Sequence, residues 1–222
     1  MKIKITGAII QAVPEYWYEY GFITRATHTA VDKVQAEIEA LADDAGAEVF
    51  VDSPGGSVTA AIGMAQAIRA EIKRGAIATV RVGAMAGSSA ALITIRAALD
   101  GAKFVVGDLS KMLIHKPFVE YVSGGAAALD SLSKYLKGIF SDIVGDLKKL
   151  GGEAVAKSIA DDCADTEAFA TLNATQMRDW FKAEVDEDED EEEKDEAEEE
   201  EEKDTTKEDE DEKGVTNASS IS

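Results

Sequence analysis

Between Lys2 and Ile10 apolar and polar side chains alternate, the period of a strand with one buried face. From Thr29 to Asp43 the period lengthens, with Ala30, Val31, Val34, Ala36, Ile38 and Leu41 at helical spacing and Ala45-Gly46 closing the helix. The apolar run 48–52 reads as a second strand, leading through Ser53-Pro54-Gly55-Gly56 into a helix that opens at Ser57 and carries Ala60, Ile62, Met64, Ala65, Ala67, Ile68 and Ile72. A strand over 78–82, a small-residue turn over 83–89 and an apolar helix over 90–99 repeat the unit. Residues 103–106 and 111–114 read as two further strands, the second ending at His115-Lys116-Pro117, and a long helix spans about 125–150. Recurring strand-turn-helix units predict an α/β fold: a mostly parallel sheet flanked by helices, with function at the carboxyl ends of the strands. The aromatics Tyr16, Trp17, Tyr18, Tyr20 and Phe22 lie between the first strand and the first helix and suit a packing strip or a subunit contact.

Charge changes this picture at one end only. The chain carries a net charge of −21, but residues 184–213 hold 22 acidic against 4 basic side chains, leaving 22 acidic and 19 basic elsewhere. A nearly balanced globular domain over 1–183 is therefore expected to precede a disordered acidic tail over 184–222, whose like charges oppose compaction. Such a tail solvates the protein or docks on a basic partner, and it repels nucleic acid as a direct ligand. Cys163 is the single cysteine, so no intramolecular disulfide can form and a reducing, cytoplasmic setting is expected. Lysines interrupt the N-terminal segment, and 82–95 is too short and too rich in glycine and serine to span a bilayer, so no membrane association is expected.

The strand ends carry residues with chemistry to offer. Glycines in the turn after 48–52 let backbone amides approach a substrate oxygen closely, as an oxyanion-stabilising turn requires. Ser88 and Ser89 occupy the next such turn and supply hydroxyl nucleophiles, which need a base to accept the proton. Two histidines are available. His28 lies in a polar stretch entering a helix, where a surface or capping role is expected; His115 ends an apolar strand beside both turns and is the better base.

Val51-Asp52-Ser53-Pro54-Gly55-Gly56-Ser57-Val58-Thr59-Ala60 resembles the glycine-turn motif of the ClpP family of serine peptidases, and Met112-Leu113-Ile114-His115-Lys116-Pro117 is similar to its Met-x-Ile-His-x-Pro stretch. The resemblance covers about residues 5–183 and looks most like the phage branch, the head maturation (prohead) proteases. It implies the ClpP/crotonase-like fold and a Ser-His-acid triad. Ser88 as nucleophile keeps the apolar register that follows it, whereas Ser89 shortens the gap to His115 from 27 to 26 residues. The implied acid is Glu167, upstream of Phe169, with Asp165 and Asp162 as alternatives; the implied oxyanion donors are the amides of Gly56 and Ser89.

The function so implied is a serine endopeptidase acting on protein or peptide substrates, without metal or other cofactor, as a homo-oligomeric ring, in capsid maturation and in the host cytoplasm if phage-encoded. No phosphate-binding Gly-x-x-x-x-Gly-Lys-Ser/Thr motif is present, so any ATPase would be a separate chain. Three alternatives stay open: a crotonase-like acyl-CoA enzyme, which needs the oxyanion turn but no Ser/His pair; a serine-lysine peptidase; and a non-catalytic scaffold on a degenerate core, its tail binding capsid proteins.

Overall fold

Lys2 and Lys4 face solvent while Ile3, Ile5 and Ile9 are buried, so the alternation at the start of the chain becomes strand β1, Lys2–Ile10. The structure is a computed structural model that describes residues 1–12, 27–118, 125–165 and 168–185; the aromatics between Tyr16 and Phe22, Glu167 and the acidic segment from Asp186 onward lie outside the described residues. The elements that follow are β2 (His28–Ala30), α1 (Val31–Glu39), β3 (Ala47–Gly56), α2 (Val58–Arg74), β4 (Ile77–Gly87), α3 (Ser89–Leu99), β5 (Lys103–Val106) and β6 (Lys111–His115). Then come α4 (Ala126–Gly151), α5 (Glu153–Asp162), β7 (Phe169–Asn173), α6 (Ala174–Phe181) and β8 (Glu184–Val185).

The strands form one sheet in the order β2-β1-β3-β4-β5-β8, with β6 pairing β4 and β7. Every pairing is parallel except β6 with β7, which places Phe169 opposite His115. The sheet is thus mixed and mostly parallel, flanked by helices, the α/β architecture that the strand-turn-helix repeat predicts. The length of β4 creates a fork. Its first half, Thr79 to Val82, pairs with β5, and its last residues, Met85 to Gly87, pair with Lys111 to Leu113 of β6. That fork brings the end of β6 alongside the turn that follows β4.

Local signals set the helix ends. Ser57 caps α2 by accepting a hydrogen bond from the Ala60 amide (3.3 Å), and Gly75, at φ 85°, closes it after Lys73 and Arg74. Asn173 and Gln176 form a reciprocal capping box at the start of α6. Helix α3 is apolar on nearly every side, and all of Ala90 to Ile95 is buried, so it lies between the sheet and the outer helices. Each fully buried isoleucine there, Ile93 and Ile95, contributes about 1.5–3 kcal/mol of burial.

Three stretches differ from the sequence expectation. The first helix is shorter than 29–43 because His28–Ala30 pairs with β1 as a strand, which makes His28 a half-buried strand residue rather than a loop residue. Strands β3 and β4 run on through their turns, to Gly56 and Gly87, since both turns are held in the ladder. Glu184 and Val185, acidic-tail residues by charge, pair with β5, and Lys103 Nζ lies 2.7 Å from Glu184 Oε2.

Helix α4 has 26 residues, about 39 Å of helix. Only its second half is anchored, through Ile139, Ile143 and Leu147 and through Arg96 Nε, 3.1 Å from Asp146 Oδ2. From Ala126 to Gly138 it is exposed but for half-buried Leu132 and Leu136, with Leu129 and Tyr135 open to solvent. Among the described residues no helix is long and apolar enough to cross a membrane.

Candidate active site

Ser88 joins the end of β4 to the start of α3 at φ 52° and ψ −118°, a backbone conformation that L-residues rarely occupy. Two contacts hold it there. Its N–H donates to the Leu113 carbonyl of β6 (2.7 Å), and Gly55 of the preceding turn packs directly against it. A Cβ on Gly55 would lie 2.5 Å from Gly87 O, 2.7 Å from Ser88 Cβ and 2.9 Å from Ser89 N, so only glycine permits this approach. Ser88 is half-buried, whereas Ser89 is only 3% exposed as the first residue of α3.

The glycine turn is fixed from below by Ser53. Its buried hydroxyl donates to the Gly7 carbonyl (2.6 Å) and accepts from the Gly55 amide (3.0 Å). The Ser57 amide donates to Ile9 O (2.8 Å), the bond that brackets the Ile9–Gly56 pair in the parallel ladder. In that pattern Ile9 uses its own groups, and the Gly56 amide faces away from β1. Gly56, at φ 145°, is exposed.

His115 ends β6 and lines the same pocket as Ser88 and Ser89. Its Nδ1 lies 2.7 Å from the Lys116 carbonyl, an acceptor, so Nδ1 carries the proton and Nε2 keeps its lone pair. Phe118 packs near the ring, with centroids 5.4 Å apart. Among the described residues no carboxylate bonds to the imidazole; Asp162 and Asp165 are both exposed. Glu167 lies outside the described residues, two positions before Phe169, the β7 partner of His115.

The pocket is otherwise apolar, walled by Val58, Ala91, Leu92, Ile114, Ile139 and Ile143, with Pro117 at its edge, and encloses about 20 Å³. Cys163 is not part of it. Its buried thiol donates to the Ile114 carbonyl (3.2 Å) behind β6, and burial pushes the thiol up, against the lowering by its hydrogen bond with the Ala170 backbone. It is held as a neutral structural group. Among the described residues no group of three or more His, Cys, Asp or Glu side chains could hold a metal ion.

The fold therefore brings together the Ser88 turn, His115 and the Gly55-Gly56 turn, and leaves His28 elsewhere, on β2. The Lys116 carbonyl and the α4 residues Ile139 and Ile143 join them without having been legible as site residues, and Ser53, part of the glycine-turn motif, takes a bracing role that the motif alone does not state. The sequence signal for Ser53 is its place in the Ser53-Pro54-Gly55-Gly56 motif; the α4 contribution has none, because it depends on how a distant helix docks.

No curated protein matches this chain. A model of the Clp protease family matches residues 22–176, more than two thirds of its length and the whole of the region that builds the pocket. The chain belongs to the Clp protease family, a family of serine peptidases.

Proposed function

We propose that the protein is a serine endopeptidase in which Ser88 is the nucleophile and His115 the base. The observation that carries this reading is the left-handed turn at Ser88, wedged between Leu113 and Gly55 and facing one pocket with His115. Strained backbone of this kind persists only where surrounding structure enforces it, and here it lifts one hydroxyl out of the strand-helix junction while burying its neighbour. The same contrast favours Ser88 over Ser89 as the attacking residue.

The chemistry follows from the groups present. His115 Nε2 accepts the Ser88 proton as Oγ attacks the scissile carbonyl, and returns it to the leaving amine. The amides of Gly56 and Ser89 stabilise the developing oxyanion; loss of one such donor costs about 3–4 kcal/mol in the transition state. Water then releases the acyl-enzyme by the same route. Here the Lys116 carbonyl holds Nδ1–H and so the tautomer that this transfer needs, and an acid that orients the ring takes that carbonyl's place at Nδ1. Glu167 is the acid we assign to orient the ring, with Asp165 the alternative. Glu167→Gln should lower kcat by about 10⁴ and Asp165→Asn by less than about threefold; the reverse order would exchange the roles.

The exposed first half of α4, with Leu129, Leu132, Tyr135 and Leu136 along it, supports assembly into a homo-oligomeric ring through that helix. The setting we infer is capsid maturation in a phage, on the motif resemblance and the acidic tail; neighbouring portal and coat genes would test it. The activity itself is tested by a fluorophosphonate: labelling mapped to Ser88 by mass spectrometry, abolished in Ser88→Ala, is expected. A protein that takes up no label at pH 8 would instead favour a non-catalytic scaffold.

A further inference from the structure

Five polar or charged side chains are buried among the described residues, and four of them are bonded. Thr29 donates to the Thr6 carbonyl (2.7 Å), Ser53 to Gly7 (2.6 Å), Thr94 to Ala90 (3.1 Å) and Ser110 to Gly83 (2.7 Å). The fifth, Ser89, has a hydroxyl with no protein partner among the described residues. Burying a hydroxyl unbonded is costly, and native structures avoid it unless the group has another use.

Its position explains why no internal partner exists. A hydroxyl inside a helix can bond back to the carbonyl four residues earlier, as Thr94 does to Ala90. Ser89 is the first residue of α3, so the residue four earlier, Met85, belongs to strand β4 and offers no such acceptor. Ser89 instead forms part of the pocket beside Ser88 and His115. Apart from that pair, Ser89 is the only polar residue in the pocket lining, and the volume of about 20 Å³ holds about one water-sized group.

We propose that Ser89 Oγ is the specificity determinant of this peptidase: it turns about its Cα–Cβ bond to hydrogen-bond a short, hydroxyl-bearing side chain, serine or threonine, of the residue preceding the scissile bond. The inference rests on the peptidase reading above, with the pocket taking that substrate residue. Once turned into that apolar wall, the hydroxyl discriminates between an alcohol and its methyl isostere, since the isostere leaves Oγ unpaired a second time.

The test uses peptidyl phosphonate diphenyl esters, which phosphonylate an activated serine. They would carry threonine or valine, and serine or 2-aminobutyrate, at the position preceding the reactive phosphorus. In the wild-type chain the hydroxyl-bearing probe of each pair should label Ser88 about three- to tenfold faster. In Ser89→Ala the ratio within each pair should fall to about one, whatever happens to the absolute rates. Ser89→Ala should also melt no lower than the wild type, because it removes an unbonded buried group. Equal rates within the pairs for the wild type, or a preference that survives Ser89→Ala, would overturn the inference while the labelling itself upholds the peptidase. If no phosphonate and no simple fluorophosphonate labels Ser88, the peptidase reading falls and takes this one with it.

Discussion

Replacing Gly55 by alanine tests whether the glycine turn and the serine turn form one interlocked unit. Gly55 sits at φ 98°, and its added Cβ would meet Gly87 O at 2.5 Å, Ser88 Cβ at 2.7 Å and Ser89 N at 2.9 Å. Two of these are backbone atoms, so no flexible side chain can move aside. Gly101 is the control: its φ is similar, 104°, but a Cβ there meets nothing within 4 Å. Both alanines incur the backbone strain, about 1–3 kcal/mol. Gly55→Ala alone adds the collision, about 1–3 kcal/mol more. For a domain of this size that surplus lowers the melting temperature by about 2–12 °C beyond Gly101→Ala. It also pushes Ser88 off its position, and a displacement of about 1 Å costs about 100-fold in rate. Differential scanning fluorimetry of both variants, with fluorophosphonate labelling rates at Ser88, measures the two effects. If Gly55→Ala melts within about 2 °C of Gly101→Ala and labels at the wild-type rate, the two turns are not coupled as described.

Ser53→Ala removes both hydrogen bonds of a buried hydroxyl and strands the Gly55 amide, so it should cost about 2–4 kcal/mol by urea denaturation and slow Ser88 labelling; an unchanged denaturation midpoint would refute the role given to Ser53. Burial pushes the Glu48 carboxyl up, but hydrogen bonds from Arg81 and Lys2, and their charges, outweigh it and hold the group below the usual glutamate range. Its stabilisation is therefore complete above the unfolded value, about 4.3, and is lost as pH falls through the lower folded value. Glu48→Gln should accordingly cost about 1 kcal/mol more at pH 7 than at pH 3; equal costs at the two pH values would contradict the assignment. Truncation after Val185, which spares the β8 pairing with β5, should leave peptide hydrolysis within about twofold of the full chain, whereas a collapse in activity would mean that the acidic segment takes part in the site.

The alternation in β1, the helical spacing in α2 and the Ser57 and Gly75 signals at its ends are local, so the sequence determines them without help from the rest of the molecule. The same holds for the repeat of strand, turn and helix that makes the fold α/β, and for the residue types at its turns. Glycine next to glycine, paired serines and a histidine at a strand end are informative because their chemistry depends on composition and short spacing. Other features depend on contacts between residues far apart in the chain. The apolar register after Ser88 already favours it over Ser89, but the grip of Leu113 and Gly55 on the Ser88 turn spans separations that no local pattern records. The histidine tautomer is set by a neighbouring carbonyl whose direction follows from where β6 ends. The pocket closes only when Ile139 and Ile143 arrive from a helix that is half exposed, and the unbonded Ser89 hydroxyl becomes visible only after the other buried polar side chains among the described residues have found partners. Periodicity records which face of an element is buried; what that face meets is decided by the packing of the whole domain.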